Sequence, residues 1–316
     1  GKLLDRTWAF SALAAALETG LIKALSSSRS AEEAAASVGI APDIAKALLD
    51  VLASVDLVEH DQGHYVAAPG LIDFVYGAGR ESAAAWLCSN YLQSRQMVDD
   101  ARDGELRPDW GHTDPTILEA QGRSGLALTR MLATKVFPMV PDLEARLRAP
   151  GGAFLDIGMG VGVNCIELCR IYPHLRAVGL EPGATQAAEA RRSIAEAGLE
   201  NRIEVRSQHV EDLTDRETYD LAFFPQVFMP VEVLDVGAPK VRDALRPGGW
   251  IMLLAFDAPG DNLHSAIARL MNVLWGGGSV TPDDVAATLL SAGFEQVQVG
   301  GNSGALLKGV MGRRPL

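Results

Sequence analysis

An acid followed by three closely spaced glycines, Asp156-Ile157-Gly158-Met159-Gly160-Val161-Gly162, constrains this chain more than any other stretch. Ala153-Phe154-Leu155 leads into it with the apolar character of a buried parallel strand. Asn164 to Ile171 follows, with Ile166, Leu168, Cys169 and Ile171 available to one helix face. Strand, glycine turn and helix together let backbone N–H groups approach a nucleotide-like ligand closely. A side chain at Gly158 or Gly160 would block that approach, and glycine also reaches the positive φ that such turns often need. The dinucleotide fingerprint G-x-G-x-x-G does not fit. Its third glycine comes one position early here, Val163 holds the next position, and an acid two residues before the first glycine is no part of it. A structural turn of any α/β protein is the plain alternative at this point.

Further strands follow. Residues 176–180 read as a second buried strand ending in Glu181-Pro182, 201–205 as a third and 219–224 as a fourth. A carboxylate at the carboxyl end of the second strand, beside the glycine turn, is placed to accept both hydroxyls of a ribose. Residues 245–254 read as a helix end, a Pro247-Gly248-Gly249 turn and a fifth strand. Thr281-Pro282-Asp283-Asp284 starts a helix over 285–292 that Gly293 stops, and 294–299 with 305–310 form a terminal hairpin.

The acid-glycine turn, Glu181 and then Leu245-Arg246-Pro247-Gly248-Gly249-Trp250 before a hydrophobic strand resemble, in this order, the motifs of class I S-adenosylmethionine-dependent methyltransferases. The resemblance covers most of residues 151–316. It implies an α/β, Rossmann-like seven-stranded sheet of order 3-2-1-4-5-7-6 with the seventh strand antiparallel, and S-adenosyl-L-methionine as cofactor. On that resemblance Asp156 organises the turn and the cofactor's amino group, Gly158 and Gly160 give backbone contact, and Glu181 with Pro182 holds the ribose. His209 and Val210 fall at the adenine, His209 in the place of the family's usual acid, and Phe224 ends the fourth strand beside them. His209 accepts from an amine only as the right neutral tautomer; a plain loop histidine is the other reading.

The amino-terminal half reads differently. Residues 7–25 carry apolar side chains at helical spacing with Gly20 among them. Ser30 and Glu33 form a capping-box pattern that opens a helix to Val38, and Pro42 starts a third helix through Val55. Residues 57–60 and 64–67 form a short hairpin. Three helices and a hairpin describe a winged helix, which raises a DNA-binding regulator as a rival function. The third helix argues against it, because Lys46 is its only base and the rest is mostly aliphatic. The arrangement resembles the dimerisation domain that precedes the catalytic domain in O-methyltransferase-type enzymes, so a homodimer is expected. Expected domains are 1–75 for dimerisation, 76–148 as connecting helices, and 149–316 for catalysis. Within 76–148 helices are expected at 83–97, 115–120 and 125–139. The resemblance places them over the acceptor pocket, which makes Asn90, Tyr91, Gln121, Arg123 and Met131 candidates for substrate contact; core packing is the alternative for each.

Composition narrows the partners. The net charge is −12, and residues 1–150 and 151–316 each carry 14 basic and 20 acidic side chains, so neither half attracts nucleic acid. No apolar run is long enough for a membrane span. Three cysteines, Cys88, Cys165 and Cys169, exclude a disulfide scaffold, and a reducing cytoplasm is the expected compartment. Cys165 and Cys169 share a helix face, which reads as a pair of small buried hydrophobes, with a metal pair as the alternative.

A general base is needed only where the acceptor must lose a proton. Many O-methyltransferases carry a histidine shortly after the fourth strand; here Phe224-Pro225-Gln226-Val227-Phe228-Met229-Pro230 puts Met229 in its place. His264, after the fifth strand, is the candidate for a relocated base; capping a helix is its other reading. Gln226, Met229, Met271, Asn272 and Trp275 are pocket candidates, and 275–279 reads as a flexible hinge. No metal site is expected. The expected function is methyl transfer to a small, largely apolar specialised metabolite, at oxygen by family frequency, with carbon and nitrogen opened by the missing histidine. A cofactor-assisted reaction without methyl transfer and the non-catalytic regulator are the alternatives.

Overall fold

Short runs of branched and aromatic residues separated by helix-length segments pair into one seven-stranded sheet, in a computed structural model that describes residues 1–77, 81–107, 110–301 and 307–316. The strands are β4 (Ala153–Ile157), β5 (Arg176–Leu180), β6 (Ile203–Arg206), β7 (Tyr219–Phe224), β8 (Leu245–Phe256), β9 (Glu295–Gly300) and β10 (Leu307–Arg313). Their order is β6-β5-β4-β7-β8-β10-β9. The first five pair in parallel, and β10 runs antiparallel to both β8 and β9. This is the Rossmann-like methyltransferase order that the family resemblance implies. The terminal hairpin forms too, although 302–306, with Ala305 and the residues of its turn, lie outside the described residues.

β4 is buried along its whole length, which is why it reads as an unbroken apolar run around one acid. Its neighbours β5 and β7 hold it in register, with Asp156 opposite Gly179 and Phe223. Leu155, Ile157, Leu180, Phe224, Leu253 and Val310 pack into one core with α11 (Val231–Ala244) and α13 (Pro282–Ser291). Thr281 and Asp284 close the capping box that starts α13. The expected turn at Pro247-Gly248-Gly249 lies inside β8, where the pairing to β7 jumps from Tyr219–Leu245 to Leu221–Trp250. α9 (Val163–Ile171) and α10 (Ala184–Glu196) follow β4 and β5.

Contacts divide the chain into two units, one of Gly1–Gly104 with Glu119–Leu128 and one of Glu105–Leu118 with Thr129–Leu316. The first holds α1 (Lys2–Glu18), α2 (Leu21–Ala24), α3 (Ala31–Val38), α4 (Pro42–Ala53), α5 (Leu71–Tyr76) and α6 (Glu81–Asp103). A small sheet of β1 (Arg29–Ser30), β3 (His64–Ala67) and β2 (Val58–Asp61) completes it. Its core is Leu13, Leu17, Leu21, Ile22, Leu49, Leu52 and Tyr65. The expected helix over 7–25 is two helices, because Gly20 turns left-handed at φ +80° and ends α1. Ser30 and Glu33 make both bonds of the capping box.

α7 (Pro115–Met131) corrects a second expectation. It runs unbroken through Gly122 and Gly125, where two separate helices were expected. A helical glycine costs about 1 kcal/mol against alanine, too little to break a helix that buries Ile117, Leu118, Ala120 and Thr129. Leu132–Val136 continues as a π-helical turn, Phe137–Met139 as a 3₁₀ turn, and α8 (Leu143–Arg148) leads into β4. α12 (Leu263–Leu274) follows β8.

Candidate active site

The carboxyl ends of β4 and β5 carry the first part of the site. Gly158, Gly160 and Gly162 all have left-handed backbones, at φ +66°, +55° and +83°. A side chain at any of them is strained, and a Cβ at Gly158 would stand 2.5 Å from the Met229 terminal methyl. Met159 N–H donates to Leu180 O at 3.0 Å, which ties the turn to β5. Gly179 is what makes room for this, since a Cβ there would overlap the Met159 sulfur.

Two carboxylates flank the turn. Glu181, just past β5, accepts from Gly160 N–H through Oε2 and from Gly183 N–H through Oε1, both at 2.9 Å. Burial raises its pKa; the bonds from Gly183 and Gly160 and the nearby His209 oppose the rise. Asp156 is fully buried, and its Oδ1 has no hydrogen-bond partner. Its Oδ2 accepts from Cys165 Sγ at 3.5 Å. Burial raises the Asp156 pKa to about 7; bonds from Cys165 and Asn164 oppose the rise, and the Glu181 charge adds to it. Thr129 Oγ1 in turn donates to Asn164 Oδ1 at 2.6 Å, so the end of α7 orients the residue whose amide lowers the Asp156 pKa. Sequence reasoning missed Asn164 and Thr129. Asn164 stands in the first turn of α9, two residues after the last glycine, and that position was the available signal.

Of the other residues expected at the cofactor, Pro182 is exposed and His209 is exposed at the start of the 3₁₀ turn Val210–Asp212. Val210 and Phe224 are core side chains packed against Gly237 of α11, so only their backbone is left for a ligand.

The ends of β7 and β8 carry the second part. Gln226 and Phe228 lie in the 3₁₀ turn Gln226–Phe228, and Met229 ends it. Phe228 and Trp275 stack at 4.8 Å between ring centroids; Trp110 meets them edge-on at 4.9 and 5.8 Å. Phe256 lies 5.4 Å from Trp275, and Met271 packs on the same cluster. Trp110, Phe228 and Phe256 were not singled out in the sequence, because they come from three separate segments. Their rarity, in a chain of 6% aromatics, was the one signal.

The expected hinge at 275–279 is a pinned loop. Gln226 Nε2 donates to Gly277 O at 2.9 Å and Asn272 Nδ2 to Gly278 O at 2.8 Å, while Trp275, Gly276 and Gly277 are buried. His264 stands exposed in the first turn of α12, whose N-cap bond comes from Asn262. Asn90 and Tyr91 belong to α6 in the other unit, where Asn90 donates to Trp86 O and Tyr91 packs against Phe10. Gln121 accepts from Ser89 and Gln93 in that unit. Arg123 pairs with Glu119 on α7, and Met131 is exposed. No group of three or more His, Cys, Asp or Glu among the described residues is arranged to hold a metal.

Comparison with known proteins agrees with this geometry. Residues 154–249 match the methyltransferase domain family. The chain is 30% identical over 211 residues to 3-hydroxy-5-methyl-1-naphthoate 3-O-methyltransferase from Streptomyces sahachiroi, a match that covers 62% of this chain and 58% of that protein. Two solved structures share the whole fold. The S-adenosylmethionine-dependent methyltransferase SibL superposes with a TM-score of 0.67 at 22% identity, over 99% of this chain and 98% of its own. Human N-acetylserotonin methyltransferase, solved with S-adenosylmethionine, gives 0.68 at 18% identity, over 99% and 96%. The sheet order, the glycine turn with its two carboxylates and these matches lead to one assignment: the chain carries a methyltransferase domain on the class I S-adenosylmethionine-dependent methyltransferase fold.

Proposed function

We propose that this chain is an S-adenosyl-L-methionine-dependent methyltransferase acting on a small, largely apolar specialised metabolite. The observation that carries the reading is the unpartnered Oδ1 of Asp156, a buried carboxylate oxygen beside a glycine turn whose far side is latched by Glu181. A buried acceptor without a donor is unfavourable, and the ammonium of an amino-acid ligand supplies that donor. Glu181 lies where ribose hydroxyls would reach it. Gly160 presents bare backbone between the two acids, and at Gly158 only the flexible end of Met229 stands over the backbone.

The bound cofactor supplies a methyl group already activated on a sulfonium. The protein's part is then to align the acceptor and exclude water. Phe228, Trp275, Trp110 and Met271 give a flat apolar wall for that purpose. Met229 lies against Gly158 and takes no proton, so an oxygen acceptor depends on its own ionisation or on His264. Oxygen is our first choice of acceptor atom, by analogy with the naphthoate enzyme from Streptomyces sahachiroi. Carbon or nitrogen, and a cofactor-assisted reaction without methyl transfer, gain weight from Met229. A cytoplasmic homodimer assembled through residues 1–75 completes the proposal. On α4 the lone base Lys46 is paired with Asp50 at 2.7 Å, which weighs against DNA reading. No described helix is long and apolar enough to cross a membrane.

Calorimetry with S-adenosylhomocysteine tests the reading. Micromolar binding that Glu181→Ala weakens is expected; no binding heat from the folded protein rejects it.

A further inference from the structure

Gln226 and Asn272 are buried amides, 0% and 3% exposed, on two different elements beside the aromatic cluster. Their NH2 groups are committed. Gln226 Nε2 donates to Gly277 O at 2.9 Å and to Met229 O at 3.3 Å, and Asn272 Nδ2 donates to Gly278 O at 2.8 Å. Flipping either amide would set oxygen against a backbone carbonyl, so these bonds fix which way each side chain faces. The consequence is that Gln226 Oε1 and Asn272 Oδ1 are both left without a donor, shut off from bulk water.

Pinning the loop explains the nitrogens and leaves the oxygens unexplained. One glycine joins the two amides. A Cβ at Gly277 would stand 2.2 Å from Asn272 Oδ1 and 2.8 Å from Val227 O, so a bare backbone is needed there to keep the arrangement. Two orphaned acceptors on the side chains that pin one loop are an expensive way to hold it, because each loses its hydration without a replacement bond. A donor that arrives with a ligand removes the penalty.

Its chemistry follows from the surroundings. The oxygens are neutral amide carbonyls, which accept from neutral O–H or N–H donors. The neighbouring faces are Phe228, Trp275 and Trp110, with their rings 4.8 to 5.8 Å apart. We infer that Gln226 Oε1 and Asn272 Oδ1 form a hydrogen-bond-accepting subsite for a methyl acceptor that carries at least two neutral O–H or N–H donors. The inference rests on the methyltransferase reading and adds a selection rule to it. A molecule of the same shape without donors leaves both oxygens unpaired and is rejected.

The test is calorimetry on the full chain saturated with S-adenosylhomocysteine. The probes are 2,3-dihydroxynaphthalene and 2,3-dimethoxynaphthalene, two flat molecules that differ in having or lacking donors. The diol is expected to bind at least about tenfold more tightly. In Gln226→Leu and in Asn272→Leu the preference falls toward one, while S-adenosylhomocysteine affinity stays within about twofold. Equal affinity of the unaltered chain for both probes, or no binding of the diol, overturns the subsite, and this comparison needs no variant to fold. A preference that persists in both folded variants overturns it as well. Because S-adenosylhomocysteine is titrated first, loss of its binding reports on the methyltransferase reading and loss of probe discrimination alone reports on the subsite.

Discussion

The two sides of the site are built from different materials. At the ends of β4 and β5 the surface is backbone, three left-handed glycines of which Glu181 holds Gly160, with Asp156 beneath. At the ends of β7 and β8 it is side chain, with Phe228, Trp275, Trp110 and Met271 packed together and Gln226 and Asn272 behind them. Backbone geometry fixes one ligand shape, so the first side suits an invariable cofactor. Side chains can change one at a time without disturbing the sheet, which is what choosing an acceptor requires.

That contrast can be broken by substitution. The largest effect is expected at Gly158→Val, which adds a branched side chain at φ +66° against the Met229 methyl. S-adenosylhomocysteine affinity should fall by more than about 100-fold, a few kcal/mol, in a protein that circular dichroism shows to be folded. Next comes Glu181→Gln, which keeps the shape but turns one bond to Gly160 or Gly183 into a clash of donors. A loss of about 2 kcal/mol, some thirtyfold in affinity by calorimetry, is expected.

The third expectation concerns pH. Asp156 is pushed up to about 7 in the free protein, and an ammonium binds its ionised form. Affinity for S-adenosylhomocysteine should therefore fall about tenfold per pH unit below 7 and level off above it, and Asp156→Asn should flatten the profile. The sign for stability is opposite. The folded-state value lies above the ordinary 3.8, so the free protein binds more protons than the unfolded chain between 3.8 and about 7. It loses stability as the pH rises through that window, and denaturant titrations of Asp156→Asn should lose this slope. The smallest effect is expected at Met229→Ala. Removing the methyl that rests on Gly158 should change S-adenosylhomocysteine affinity by no more than about threefold, less than 1 kcal/mol. A large loss there would mean that the acceptor side also holds the cofactor.

The same contrast decides what was legible in the sequence. The seven strands and the glycine turn could be read because each depends on a contiguous signal, apolar runs and D-x-G-x-G-x-G, while the strand order came with the family resemblance that those motifs carry. The capping boxes at Ser30 and Thr281 were equally local. The acceptor side was only half legible. Gln226, Met271, Asn272 and Trp275 were named, but Phe256 at the end of β8 and Trp110, more than a hundred residues earlier in the chain, join them only through folding. The loop at 275–279 misled because a run of glycines looks mobile in isolation, whereas the amide of Asn272 at the end of α12 and that of Gln226, some fifty residues earlier in the chain, hold it. α7 misled for a related reason, since burial of its apolar face outweighs two glycines.

The most direct test of the central claim is a crystal structure of the chain with S-adenosylhomocysteine. The account predicts the ribose hydroxyls on Glu181, the amino-acid ammonium turned toward Asp156, and the sulfur facing the Phe228–Trp275 wall. A nucleoside bound elsewhere, or a glycine turn still covered by Met229 with the ligand excluded, would contradict it.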